Sequence, residues 1–191
     1  EINRTRNSHI ITLEDPIEYL HRHNRSVVTQ REIGLDTDSY VNGLVASLRQ
    51  APDVILLGEM RDFDTIKTAM TAAETGHLVI STLHTIGSAN SIDRIIDVFP
   101  PDGQQQIRVQ LAMVLQAVIS QQLVPTVTGS MVPAFEIMFL NDAIRTMVRE
   151  GKIHQIDNVI ATSMAEGMIS MNNSLLRLMR EGKISRDTCI S

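Results

Sequence analysis

Apolar positions along the 191-residue chain follow two different periodicities. Three short runs are apolar almost throughout: residues 9–13 (His-Ile-Ile-Thr-Leu), 54–57 (Val-Ile-Leu-Leu) and 78–83 (Leu-Val-Ile-Ser-Thr-Leu). Each is β-branched or aliphatic and ends in polar residues, the pattern of a strand covered on both faces in a parallel sheet. Between them the spacing becomes helical. Residues 39–48 put Tyr40, Leu44 and Leu48 on one face, and residues 62–75 do the same with Phe63, Ile66, Ala69, Met70 and Ala73, with Gly76 as the stop. Strands alternating with helices of this length predict an α/β fold with a mostly parallel sheet flanked by helices.

Further on, residues 104–122 read as one long helix entered through Pro100-Pro101-Asp102-Gly103, with Ile107, Leu111, Val114, Leu115, Val118 and Ile119 on its stripe. Residues 123–125 and 132–138 predict two strands joined by a turn at 126–130. After Leu140 the chain changes character. Asn141 caps a helix running to Arg149, and further helices are predicted at 153–162 and 171–181, stopped by Gly182. The division expected is a core over 1–140 and a helical subdomain over 141–191. Similar stretches at 148–153 and 179–184 predict two helix ends of like design and no repeat array.

Composition narrows the classes. A formal charge of −5 argues against a general nucleic-acid-binding surface, which carries a basic excess. One cysteine, Cys189, excludes an internal disulfide framework and a Cys-rich zinc site. No apolar run is long enough for a transmembrane helix. The first residues, Glu1-Ile2-Asn3-Arg4-Thr5-Arg6, form neither an initiator start nor a signal peptide, so the sequence reads as cut into on its amino-terminal side.

The chemistry clusters where strands end. In open α/β sheets ligands bind beyond the carboxyl ends of the strands, and Glu14-Asp15-Pro16-Ile17-Glu18 follows the first run directly. Acids there hold a hydrated Mg²⁺ or position a water; an acidic loop in which Asp15-Pro16 merely ends the strand is an equal alternative. Asp53-Val54-Ile55-Leu56-Leu57-Gly58-Glu59 has the form of a Walker B strand, with Gly58 permitting close backbone approach and Glu59 entering the crevice. His77 and His84 stand seven apart and so point to opposite faces of one strand, which argues against shared metal ligation. His84 suits a terminal phosphate, and His77 a strand start satisfied by backbone. His21-Arg22-His23 reads as a solvated loop. No Gly-x-x-x-x-Gly-Lys-Ser/Thr phosphate loop occurs in the chain.

These residues together resemble the PilT/GspE superfamily of traffic ATPases, the motors of secretion systems and type IV pili. Residues 11–19 resemble the family's Asp box, 53–62 its Walker B segment, and 71–77 through 82–85 its His box. Ala143-Ile144-Arg145-Thr146-Met147-Val148-Arg149-Glu150 resembles the signature helix of the pilus-retraction branch, with Thr-Met-Val replacing Asn-Leu-Ile, and Asp97-Val98-Phe99-Pro100-Pro101 fits the same branch. The tetracysteine motif common in the secretion branch is missing.

The resemblance implies a RecA-like P-loop NTPase core with a carboxy-terminal helical subdomain. It implies a cytoplasmic homohexamer at the inner face of the membrane, peripheral and not inserted, that uses ATP and Mg²⁺ and works on the pilus platform and pilin machinery. It places Glu14 and Glu59 on Mg²⁺ and the attacking water, His84 near the γ-phosphate, His77 in support of that loop, and Arg49 and Arg61 in charge stabilisation or subunit contacts. Arg145, Arg149 and Glu150 belong to motor–pilus coupling or form an ordinary charged helix face. The family's phosphate loop and a PAS-like domain are expected before Glu1, so residues 1–191 alone are expected to be inactive. A pilus-assembly or type II secretion motor, and a non-catalytic scaffold of the same fold, are the alternatives.

Overall fold

A computed structural model describes residues 1–190, which form two compact units, the first Glu1–His84 and the second from Thr85 onward.

The first unit is built on a four-stranded sheet. After a short helix α1 (Ile2–Thr5), strands β1 (His9–Glu14), β2 (Val27–Glu32), β3 (Val54–Leu57) and β4 (Leu78–Ser81) pair in parallel in the order β2-β1-β3-β4. The two central strands are in register with Leu13 opposite Leu57. Their alternate residues Ile11, Leu13, Ile55 and Leu57 turn to one face and are fully buried. Leu44 of helix α2 (Tyr40–Ser47) and Ala69 and Ala72 of helix α3 (Phe63–Glu74) complete that core. Complete burial of a Leu or Ile side chain contributes about 1.5–3 kcal/mol, so this face holds the unit together. Gly43 lets α2 lie directly on β1: a Cβ there would stand 3.0 Å from Leu13 Cδ2.

Strand β2, whose sequence Val-Val-Thr-Gln-Arg-Glu has no apolar run, was not among the predicted strands. It forms because β1 offers it a complete parallel ladder from His9 opposite Val27 to Glu14 opposite Glu32. Strand β4 corrects the expectation of burial on both faces. It occupies a sheet edge, and its Leu78 and Ile80 are each 41% exposed.

In the second unit helix α4 (Ser88–Asp97) buries Ile92, Ile95 and Ile96 along one stripe. Helix α5 (Gln104–Val114) follows. The long helix predicted to Gln122 is not formed. Leu115 turns to extended backbone, and Ala117–Pro125 becomes strand β5, paired antiparallel over nine positions with β6 (Met131–Phe139). Val118 and Ile119 continue the helical stripe, but in the strand these neighbours point to opposite faces and Ile119 is 65% exposed, so pairing with β6 and not the apolar pattern decides. The predicted turn at 126–130 is present, closed by Thr126 N–H donating to Ser130 O at 2.8 Å.

Helices α6 (Asp142–Glu150), α7 (Ile156–Thr162), α8 (Met171–Arg180) and α9 (Arg186–Ile190) complete this unit. Asn141 Oδ1 accepts the Ile144 N–H at the start of α6, and Gly151 ends the helix with positive φ, as the sequence predicts. Arg145 of α6 donates to Ala112 O and Met113 O, covering carbonyls at the end of α5 that have no partner within their own helix.

Asp62 caps α3. Its Oδ1 accepts the Thr65 N–H at 2.9 Å and its Oδ2 accepts Thr65 Oγ1–H at 2.8 Å. These bonds favour the charged carboxylate and hold it below its ordinary pKa. Asp62→Ala is expected to destabilise the chain by about 1 kcal/mol, read as a lower urea midpoint at unchanged slope. An unmoved midpoint would contradict the capping role.

Candidate functional site

The carboxyl ends of β1, β3 and β4 are stitched together by backbone. Gly58 N–H donates to Leu13 O at 2.8 Å, Met60 N–H donates to Thr82 O at 3.1 Å, and Thr82 Oγ1–H donates to Gly58 O. Gly58 is required at this crossing. A Cβ there would lie 2.9 Å from Tyr40 Oη and 3.3 Å from Leu13 O, so any side chain would push β3 off β1 or displace the tyrosine.

Glu59 emerges from this crossing with its side chain only 11% exposed. Arg61, two residues on, pairs with Oε1, and His84 Nε2 stands 3.1 Å from Oε2. Both partners are open to solvent, at 71% and 84% exposure, so a buried anion is reached by two exposed donors. The Arg61 hydrogen bond is the largest influence on Glu59 and, with the His84 bond, outweighs burial, so the carboxyl sits below its usual range. In the same way Glu59 raises Arg61.

Beside the pair lies a cleft of about 350 Å³, whose lining includes Asp15, Tyr40, Glu59, Arg61, Asp62 and Thr65. Burial raises the Tyr40 phenol, with the charges of Glu59 and Asp15 adding to it, so the hydroxyl remains a donor. The sequence marks Tyr40 as a core-face residue of its helix; its place beside Glu59 comes from the long-range approach of α2 to the β3 end.

Glu14 ends β1 on the sheet face of Thr12, opposite Leu13. Its Oε1 accepts Thr12 Oγ1–H and, at 3.0 Å, Gln30 Nε2–H from β2. Glu14 and Glu59 therefore stand at adjacent strand ends with separate sets of partners. Gln30 was missed with the strand that carries it. A polar residue at an alternating strand position is the signal that would have found it.

Two predicted site residues lie at the other end of the sheet. His77 precedes β4, where its Nδ1 stands 3.0 Å from Ala72 O and 3.2 Å from Thr75 Oγ1. Arg49 lies in the 3₁₀ turn Leu48–Gln50 before β3, where Gln50 O meets the His9 ring at the start of β1. A parallel sheet separates strand starts from strand ends by its full length, so neither residue joins the Glu59 cluster. In the 21–23 loop the His23 ring is spent on the Val28 N–H at 3.0 Å.

Among the described residues no group of three or more His, Cys, Asp or Glu could hold a metal ion. Glu14 and Glu59 are carboxylates at adjacent strand ends, the type of ligand of which a hydrated divalent cation takes one or two. No helix of the described residues is long and apolar enough to cross a membrane.

A parallel sheet flanked by helices is the architecture of the RecA-like class, and solved structures share this fold. The chain superimposes on a crystal structure of the pilus retraction motor PilT with bound ADP at a TM-score of 0.90 and 46% identity, covering 99% of this chain and 53% of that one. Residues 1–180 match the family model described as type II/IV secretion system protein, and the chain belongs to that family. It is 50% identical over 185 residues to a twitching motility protein of Neisseria gonorrhoeae, covering 96% of this chain and 50% of that protein. It is 46% identical over 186 residues to the type IV pilus retraction ATPase PilT of Pseudomonas aeruginosa, covering 97% and 54%. The chain thus spans about half the length of the curated relatives it matches.

The Glu59 ion pair has a pH signature. Its folded-state pKa lies below the ordinary 4.5, so the unfolded chain takes up the proton first. The stabilisation is complete above pH 4.5 and is lost as pH falls through the lower folded value. Glu59→Gln is expected to lower the urea midpoint at pH 7, with the difference from the unsubstituted chain shrinking as the pH is taken towards 3. A difference constant over that range would contradict the pairing.

Proposed function

We propose that this chain is the acid- and histidine-bearing part of an ATP-hydrolysing hexameric motor that drives type IV pilus retraction. The observation that carries the proposal is Glu59, buried at the end of β3 with Arg61 and His84 on its two oxygens. The likeness to the retraction ATPase supports the choice of motor.

In this reading residues 53–62 act as the Walker B segment. Glu59 and Glu14 handle Mg²⁺ and the attacking water. Glu59 and Glu14 are the carboxylates that would hold the hydrated Mg²⁺, and the ion would supply charge neutralisation at the phosphates.

Arg61 and His84 are the exposed donors free to leave Glu59 for the γ-phosphate. Their departure would return Glu59 towards a normal carboxylate basicity, which a base accepting a proton from water requires. His77 supports the His84 strand from its far end, and Arg49 serves contacts between subunits. Residues 1–140 act as the ATPase core and 141–191 as the helical subdomain that couples it to the pilus platform and pilin machinery. The motor works in the cytoplasm at the inner face of the membrane.

In the full-length parent, Glu59→Gln is expected to lower kcat for ATP by about 10²–10⁴-fold with KM changed far less, measured by phosphate release. Unchanged turnover would remove Glu59 from the chemistry. Residues 1–191 contain no Gly-x-x-x-x-Gly-Lys-Ser/Thr loop, and the isolated chain is expected to release no phosphate above background. Robust hydrolysis by it would overturn that expectation. Loss of pilus retraction with assembly intact, in cells carrying the Glu59→Gln parent, separates the retraction assignment from an assembly motor.

A further inference from the structure

The chain between β1 and β2 has no secondary structure of its own, yet side chains of β2 hold its backbone. Ile17 N–H donates to Glu32 Oε2 at 3.0 Å, Gln30 Nε2–H donates to Tyr19 O at 2.9 Å, and His21 N–H donates to Gln30 Oε1 at 2.6 Å. Parallel register puts Thr12 opposite Gln30 and Glu14 opposite Glu32, so these four side chains share one face. Gln30 alone among the loop's anchors also reaches the site, donating from Nε2 to Glu14 Oε1 at 3.0 Å.

The Gln30 amide is fully committed. Its nitrogen faces two acceptors, a carboxylate and a carbonyl, while its oxygen faces a backbone N–H. Turning the amide over would set oxygen against oxygen twice and N–H against N–H once, so its orientation is fixed by its neighbours. Thr12 and Gln30 together occupy Oε1 of Glu14. Among the described residues Oε2 accepts no hydrogen bond, and it is the oxygen left for a ligand. The loop is exposed at its tip, with Tyr19 69% and Leu20 87% accessible.

We propose that Gln30 is a positioning residue that presents Glu14 Oε2 to the reacting nucleotide and ties it to residues 19–21. A contact that shifts the exposed loop tip would thereby shift a carboxylate of the site. The inference rests on the reading of Glu14 as a residue of ATP hydrolysis.

The test uses the full-length parent with Gln30→Met, which keeps length and removes every hydrogen bond, and Gln30→Glu, which keeps the acceptor and loses both donors. Glu14→Gln is the control. Partners that orient a residue at a metal site change activity by about 10–100-fold. Both Gln30 variants are expected to lose kcat in that range, with KM for ATP within about twofold, and to speed amide hydrogen exchange at His21 in Gln30→Met while leaving the thermal midpoint of the sheet in place. If Glu14→Gln lowers kcat but a folded Gln30 variant does not, Gln30 merely tethers the loop and the inference fails. If KM rises with kcat unchanged, Gln30 acts in binding and the positioning role also fails. If Glu14→Gln itself leaves kcat unchanged, the assignment of Glu14 is what fails. Should Gln30→Met not fold, the kcat and KM of Gln30→Glu decide.

Discussion

Parallel pairing of Leu13 with Leu57 is the constraint from which the rest of the first unit follows. It places two fully buried leucines side by side beneath α2 and α3. It also brings the strands that end in Glu14 and Glu59 to adjacent positions at one end of the sheet. The ladder continues for one bond beyond the strands through Gly58, whose missing side chain is the reason the backbones can meet there. Apolar burial on one face thus pays for a polar arrangement at the edge. Glu59 can be buried because the rigid crossing holds it where Arg61 and His84 reach both of its oxygens.

Much of this was legible in the sequence because two signals are local. The runs at 9–13 and 54–57 are β-branched or aliphatic and end in acids, so strand, end and candidate acid were found together. The caps at Asn141 and Gly151 were legible for the same reason: a cap depends on residues within one turn of it. Beyond local signals the reading failed in ways that share a cause. Strand β2 carries no hydrophobic run and exists through its partner. The helix predicted to Gln122 stops at Val114 because β6, seventeen or more residues further on, competes for the same side chains. Gln30 and Tyr40 join the site through contacts across elements, which no periodicity records.

The histidines belong with the local signals. His77 and His84 lie in one motif-like stretch, yet a parallel strand carries one to each end of the sheet. His77 is satisfied by Ala72 and Thr75 at its own end, and His84 meets an acid twenty-five positions away. Their spacing already marks His77 as a strand start satisfied by backbone and His84 as the strand-end residue, and the geometry gives the first a place in the scaffold and the second a place in the cluster.

Arg145 has a bearing on how the signature helix is interrogated genetically. Its guanidinium closes the carbonyl end of α5, immediately before the chain changes from helix to hairpin. Replacing it would uncover those carbonyls and loosen the point where α5 gives way to β5. A phenotype at this position therefore includes a fault in the frame. Arg149, whose guanidinium among the described residues donates only to Thr146 of its own helix, offers the cleaner probe.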